Sequence, residues 1–320
     1  MADTPHEALL ERELISFEIK QKLQEQNTLL VNLVNYGTNL IIRCVNVSEK
    51  IPENIVVLGV LLKNFVAMLD SMQILLSEGA VLGAAVQARA MWESSISIEW
   101  ILKDKSLDRA KHYFVCYFCR RISNNKKIVG ESEKRSKFIS GLKEISDDLA
   151  STISHLEPMA QEDIDQIEKM LAGEDYRDIN KAFAERERNL ANKKGYLREL
   201  KWYEIKGIQS VRRLAKETGN IAFYDVLYNQ FSEASHSTNV SAHVFFNKDK
   251  IELKPIRDLE EIHTMISVAC SLSLHTYQVI LAHYRKDELD NFRRKYISEW
   301  QKPFMNIPRF IVSAAKTKQA

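Results

Sequence analysis

The sequence predicts an all-α protein, a multi-helix bundle carrying one small β-hairpin near residues 240–254. Three observations lead there. Glycine and proline number 10 and 6 in 320 residues, about 3% and 2% where average usage is roughly 7% and 5%. That is too few turn-formers for a sandwich, a propeller or a doubly wound sheet, which need a turn every ~8–12 residues. Apolar residues recur over long stretches at helical spacing. Only one segment alternates as strands do: Val240 to Asn247 and Ile251 to Lys254, joined across Lys248-Asp249-Lys250.

Taken in order, Thr4-Pro5-His6-Glu7 combines an N-cap, proline at the first helical position and glutamate at the third, and predicts a helix running to about Gln26. Leu29, Leu30, Leu33, Ile41 and Ile42 predict a second, ended before Pro52. Glu53 to Glu78 and Ala80 to Lys103 are apolar on more than one face and read as the central helices, separated by Gly79; Gly83 is expected to allow close helix contact. Leu107 to Val129 and Ser132 to Ile153 predict two amphipathic helices. Gln161 to Lys194, highly charged around Gly173, predicts a peripheral hairpin. Val211 to Lys216 and Ala222 to Ser235 follow, split by Gly219-Asn220, and Asp258 to Arg285 predicts a final core helix. This pattern divides the chain into an N-terminal helical extension (1–50), a helical core (51–285, with the charged hairpin at about 160–195) and a basic C-terminal arm (286–320).

Several function classes drop out. The longest runs free of polar residues, Ile55 to Leu62 and Gly79 to Val86, are under half of the ~18 residues of a membrane span, so no membrane partner is expected. The N-terminus lacks the basic and apolar regions of a secretory signal, and four cysteines then predict free thiols in a reducing cytoplasm. No glycine pattern forms a phosphate-cradling or dinucleotide loop. Net charge is only +2, yet residues 101–145 hold 12 basic and 5 acidic groups, and 181–217 hold 11 and 5. These two segments are candidate RNA-binding surfaces; the competing expectation is that they pair with acidic neighbours in the bundle.

Two constellations stand out from this apolar background. Arg89 and Glu93, four apart on a helix of small residues, share one face. They are either a self-satisfying ion pair or an anion-binding Arg with a proton-handling Glu. Tyr224, Tyr228, Ser232 and His236 repeat the same stride and form a polar-aromatic edge that drifts about 40° per four-residue step of an α-helix. His236 is either a helix cap or an acid–base group. Cys116-x-x-Cys119 has no second pair to complete a zinc site and reads as core cysteines. Glu233 to His236 and Glu260 to His263 have the Glu-x-x-His spacing of di-metal bundles, but sit at helix ends; no metal and no cofactor is predicted.

Two blocks resemble a known family. One is Gln87-Ala-Arg89-Ala-Met-Trp-Glu93 continuing to Glu99-Trp100 and Asp108-Arg-Ala-Lys-His-Tyr113; the other runs from Trp202 through Tyr224, Tyr228, Ser232, His236 and Ser237. Together they resemble the bacterial family of domain of unknown function 5677, over roughly residues 55–285. The resemblance implies an all-helical bacterial protein, selects Arg89, Glu93, Ser232 and His236, and implies no established activity. Arg257 and His263 also match the Arg-x(4–6)-His form of metal-independent ribonucleases of the HEPN (higher eukaryotes and prokaryotes nucleotide-binding) class. That spacing is common by chance, and these two are the reserve pair. The functional expectation is a HEPN-like ribonuclease or toxin-type effector, in phage defence. The alternative is a non-catalytic helical module that binds a partner protein, a second copy or a small anionic ligand.

Overall fold

The computed structural model describes residues 6–45, 53–194, 200–235, 240, 243–247 and 250–310. It is all-helical apart from one antiparallel hairpin, β1 (Val244–Asn247) and β2 (Lys250–Leu253), in which Val244 faces Leu253 and Asn247 faces Lys250. Lys250 therefore belongs to the second strand, where the sequence placed it in the turn; Lys248 and Asp249 lie outside the described residues.

Contacts group the chain into two compact units. One contains the described residues of 1–51, 58–104 and 211–320, the other those of 52–57 and 105–210. In the first, the long helices are α1 (Gln24–Val45), α2 (Glu53–Ser77, from residue 58 on) and α3 (Val81–Lys103). After the second unit come α9 (Val211–Glu217), α10 (221–235), α11 (Ile262–Tyr284) and α12 (289–305). The second unit contains α4 (Ser106–Asn125), α5 (Glu133–Ile145), α6 (Asp147–His155), α7 (Glu157–Leu171) and α8 (Glu174–Lys194).

The N-terminal helix is shorter than its sequence signal. Thr4 and Pro5 lie outside the described residues, and Glu7–Leu10 is a single turn closed by Glu11 in a left-handed conformation (φ 45°). A new helix, Phe17–Lys22, starts at Ser16, whose hydroxyl accepts from Ile19 N–H, and leads through Leu23 into α1. A local cap thus outcompetes the amphipathic pattern that suggested one continuous helix. Ser146 does the same between α5 and α6, accepting from Leu149 N–H and splitting the single helix expected over 132–153. Gly79 (φ 68°) separates α2 from α3 as expected.

At the centre of the first unit α3 packs against α11, α9 and α10, and α11 also packs against α1. The α2 and α11 sequences reach mean hydropathies of 1.8 and 1.4 over windows long enough to cross a bilayer. Counting unbroken apolar runs overlooks them, because isolated polar residues interrupt a run without ending a helix. Half of the α2 window and 61% of the α11 window are buried inside the protein. The basic C-terminal segment folds back as α12, where Trp300 packs edge-on and Phe292 at a tilt against Tyr36 of α1, and the Gln26 amide donates to the Pro303 and Asn306 carbonyls.

In the second unit α4 packs on α7 and α8, which form the hairpin expected around Gly173. Its buried stripe is Ala160, Ile164, Ile167 and Leu171. Four basic residues of 101–145 meet acidic ones of 146–180: Arg121 forks onto Asp163 with both bonds at 2.7 Å, Lys126 reaches Glu168 at 3.0 Å, Arg135 Glu157 at 2.8 Å and Lys111 Asp175 at 2.6 Å. Alternating charge blocks along the chain thus become paired solvated faces.

Candidate functional site

The first sequence constellation sits on α3, a helix of strong formers and small residues: Ala84, Ala85, Ala88 and Ala90 with Met91 and Gln87. Ala88, Met91 and Trp92 point into the core. Arg89 and Glu93 lie at the edge of that buried face, their side chains 24% and 42% exposed. Arg89 Nε donates to Glu93 Oε1 at 3.1 Å.

The second constellation lies directly across from the first. α10 begins at Asn220, whose carbonyl accepts from Tyr224 N–H, and runs as a turn of α-helix (Ile221–Phe223), a π-helical stretch (Tyr224–Tyr228) and α-helix again (Asn229–Ser235). In a π-helix, with its i→i+5 bonds, a four-residue step falls short of a full turn instead of exceeding one. The steady 40° drift expected from the sequence is therefore reversed between Tyr224 and Tyr228, whose rings stack 4.9 Å apart. Both turn onto Trp92, which is stacked flat on Phe223 (5.4 Å, 8°) and lies 4.8 Å from Tyr228.

The polar ends then converge. Tyr228 donates its hydroxyl to Glu93 Oε1 at 2.7 Å, and its ring lies under the Arg89 guanidinium, 5.1 Å from ring centroid to Cζ. Arg89 Nη1 donates to Ser235 Oγ at 2.8 Å. Burial, then the Glu93 carboxylate, push the Tyr228 phenol well above its usual range despite Arg89, so it is a neutral donor at physiological pH. Burial pulls the Arg89 guanidinium down, but Tyr228 and Glu93 more than offset it.

Of the residues selected from sequence, Arg89 and Glu93 are thus joined to α10. Ser232 is half-buried and contributes its carbonyl, which accepts from Ser235 Oγ at 3.2 Å. His236 follows Ser235 in the chain and lies outside the described residues. Tyr228 and Ser235 are the additions the structure makes to the site. Tyr228 was legible as a rung of the ladder. Ser235 is out of phase with that ladder and carried no signal. In the reserve pair, the His263 ring donates from Nδ1 to the Ile307 carbonyl at 3.2 Å, tying the start of α11 to the C-terminal segment, while Arg257 lies in the stretch before α11.

Elsewhere, Cys116 contacts the Leu200 carbonyl and Cys119 the Asn180 side chain. Among the described residues no group of three or more His, Cys, Asp or Glu is placed to hold a metal ion. Burial pushes the Cys119 thiol up to about 12 and that of Cys44 up to about 11. At neutral pH a thiol at 12 holds roughly a thousandfold less thiolate than a free cysteine. Ellman's reagent should therefore label Cys44, which is buried, in the native protein only as fast as it unfolds, and Cys119, which is partly exposed, far more slowly than a free thiol; both should react at once in urea. Rapid native labelling of Cys44 would contradict its burial.

Fold and site together define a class: an all-helical protein with a half-buried Arg–Glu–Tyr–Ser network between two core helices. The chain belongs to a family of unknown function (DUF5677), whose model matches residues 55–253. That span contains α3, α10 and the hairpin, hence Arg89, Glu93, Tyr228, Ser232, Ser235 and His236, and leaves α1, α11 and α12 outside it. Comparisons with curated proteins and with solved structures return no match.

Proposed function

We propose that the α3–α10 site belongs to a HEPN-like, metal-independent ribonuclease, a toxin-type effector acting in the bacterial cytoplasm in phage defence. The observation that carries this reading is the placement of Arg89: its guanidinium is aimed by Glu93, backed by the Tyr228 ring, and bonded to Ser235, the residue before His236. An Arg oriented by a carboxylate suits the charge that develops on a phosphorane. His236 supplies the proton transfer that the 2′-hydroxyl attack and 5′-oxygen departure require. As the 2′-O–P bond forms, a base removes the hydroxyl proton; as the P–O5′ bond breaks, an acid protonates the leaving oxygen. Tyr228, neutral and buried, is a second hydroxyl at the site, donating to Glu93 with its ring under Arg89. The RNA-binding surfaces proposed with it are the basic segments 101–145 and 181–217, on cations other than Arg121, Lys126, Arg135 and Lys111, which Asp163, Glu168, Glu157 and Asp175 engage.

A second reading has its own support. Glu93 Oε1 accepts from both Arg89 and Tyr228, so the network is closed at rest, as in a non-catalytic module that opens only to bind a partner protein, a second copy or a small anion. One experiment separates the two. Purified protein is incubated with varied RNAs beside Arg89→Ala and His236→Ala, and melting temperatures are recorded for all three. The ribonuclease reading expects cleavage by the wild type and a loss of about 10²–10⁴-fold in each variant, with melting unchanged. Intact RNA in every lane overturns it and leaves the binding module standing.

A further inference from the structure

Six residues beyond Glu93 on α3, a second carboxylate makes an unusual set of contacts. Glu99 is 11% exposed and uses both oxygens. Oε1 pairs with His275 Nε2 of α11 at 3.0 Å and accepts from Ser95 Oγ at 3.4 Å; Oε2 accepts from Asn220 Nδ2 at 2.9 Å. Ser95 in turn meets Thr276 of α11 at 2.7 Å between two buried hydroxyls. One side chain therefore ties α3 to α11 and to the residue that starts α10.

Asn220 is well placed to transmit that hold. Its amide also reaches the Thr218 hydroxyl and carbonyl at 3.1 and 3.3 Å, its N–H donates to the Ala215 carbonyl at 2.7 Å, and its own carbonyl accepts the first helical bond of α10, from Tyr224. Going from 99 to 89 along α3 and from 220 to 235 along α10, three polar contacts follow in order: Glu99 with Asn220, Glu93 with Tyr228, and Arg89 with Ser235. Trp92, next to Glu93 on α3, stacks on Phe223 of α10. A π-helical stretch is a single turn of i→i+5 bonding inside an α-helix, and it changes the phase of the residues after it. Fixing the first residue of α10 selects the register in which Tyr228 and Ser235 reach α3.

We propose that Glu99 is a positioning residue for the Arg89 site, a carboxylate that holds the start of α10 so that Tyr228 and Ser235 fall against Glu93 and Arg89. The inference rests on that site being the functional one. The strength of the hold varies with the charge of His275. Glu99 of α3 pairs with this imidazole; Lys103, a turn further on, donates to the Glu217 carbonyl, and Thr218 and Asn220 of the segment before α10 are uncharged; the titratable groups nearest to His275 along α11 are Cys270, Tyr277 and His283. Glu99 keeps the His275 ring protonated above its ordinary pH range, against burial. The ion pair is therefore complete below the ordinary imidazole value and is lost as pH rises through the raised one. A nearly buried carboxylate left without its cation turns toward water and loosens its hold on Asn220.

The test uses the full chain and reads the Trp92 stack directly, as the near-UV circular dichroism difference between wild type and Trp92→Phe. In wild type this signal should fall as pH rises through the His275 titration followed by NMR. In Glu99→Gln it should be reduced at least twofold and be flat with pH, with the His275 titration shifted down. Asn220→Ala, a milder change that leaves His275–Glu99 intact, should reduce the stack signal and leave the titration in place. A stack signal unchanged in both folded variants would overturn the proposal. Because these readouts need no catalysis, a protein that leaves RNA intact would sink the ribonuclease reading without touching this one; if cleavage is found, it should drop tenfold or more in Glu99→Gln.

Discussion

Trp92→Ala should cost the first unit about 3–5 kcal/mol of stability, the range for removing a large aromatic side chain from a packed core. Trp92 has no exposed surface, lies flat on Phe223 and touches Tyr224 and Tyr228. It is the apolar floor on which the Arg89 site is built. Its indole Nε1 has no hydrogen-bond partner among the described residues, so Trp92→Phe leaves no acceptor orphaned and removes a buried unpaired donor. Phenylalanine should therefore recover more than half of the loss. Urea denaturation of the three proteins, followed by far-UV circular dichroism, checks the order; an alanine variant within 1 kcal/mol of wild type, on the scale of a surface change, would show that the stack is not a structural floor.

Gly37→Ala should be destabilising by about 2 kcal/mol, within the usual cost of overpacking, although alanine in a helix interior normally gains about 0.5–1 kcal/mol over glycine. A Cβ at Gly37 of α1 would lie 2.3 Å from the Tyr277 hydroxyl oxygen, 2.6 Å from Val66 Cγ2 and 2.9 Å from Tyr277 Cζ. Tyr277 has no room to retreat: it is fully buried on α11 and donates to the Leu33 carbonyl at 2.9 Å. In a Tyr277→Phe background the closest clash is gone, and the same alanine should cost measurably less. Gly83→Ala provides the control, since a Cβ there meets only Leu75 carbons at 3.5 Å or more; that change should be neutral or stabilising. Glycine at the close helix approach is thus at 37, not at 83 where the sequence pointed.

The contrast between these two glycines shows how far the sequence reaches. Gly83 lies in a helix visibly crowded with small residues, and small residues are a local signal. Gly37 is needed because of Tyr277, 240 positions away, and no local pattern reports that. Arg89 and Glu93 behave in the same way: their four-residue spacing announced that they share a face, and they do, 3.1 Å apart. Tyr228 showed as a rung of a repeating ladder. Ser235 did not, because the π-helical stretch at Tyr224–Tyr228 shifts the phase of everything after it, and the propensities of Tyr, Asp, Val and Leu do not distinguish an i→i+4 from an i→i+5 bond.

Helix content, the one hairpin and the break at Gly79 follow from composition and from periodicity, because turn-formers and apolar spacing act over a few residues. The pairing of basic 101–145 with acidic 146–180 was also open to sequence, though only as one of two expectations. The tertiary structure decided which side chains meet: that Arg89 and Glu93 face α10, that Glu99 joins α3, α11 and Asn220, and that the C-terminal basic segment packs against Tyr36. Those contacts bring together residues separated by more than a hundred positions, and their geometry depends on helix packing and on one π-helical phase shift. Sequence alone determined that a polar site had to be accommodated in an apolar bundle. Its members, and the positions they hold, come from how the helices close on one another.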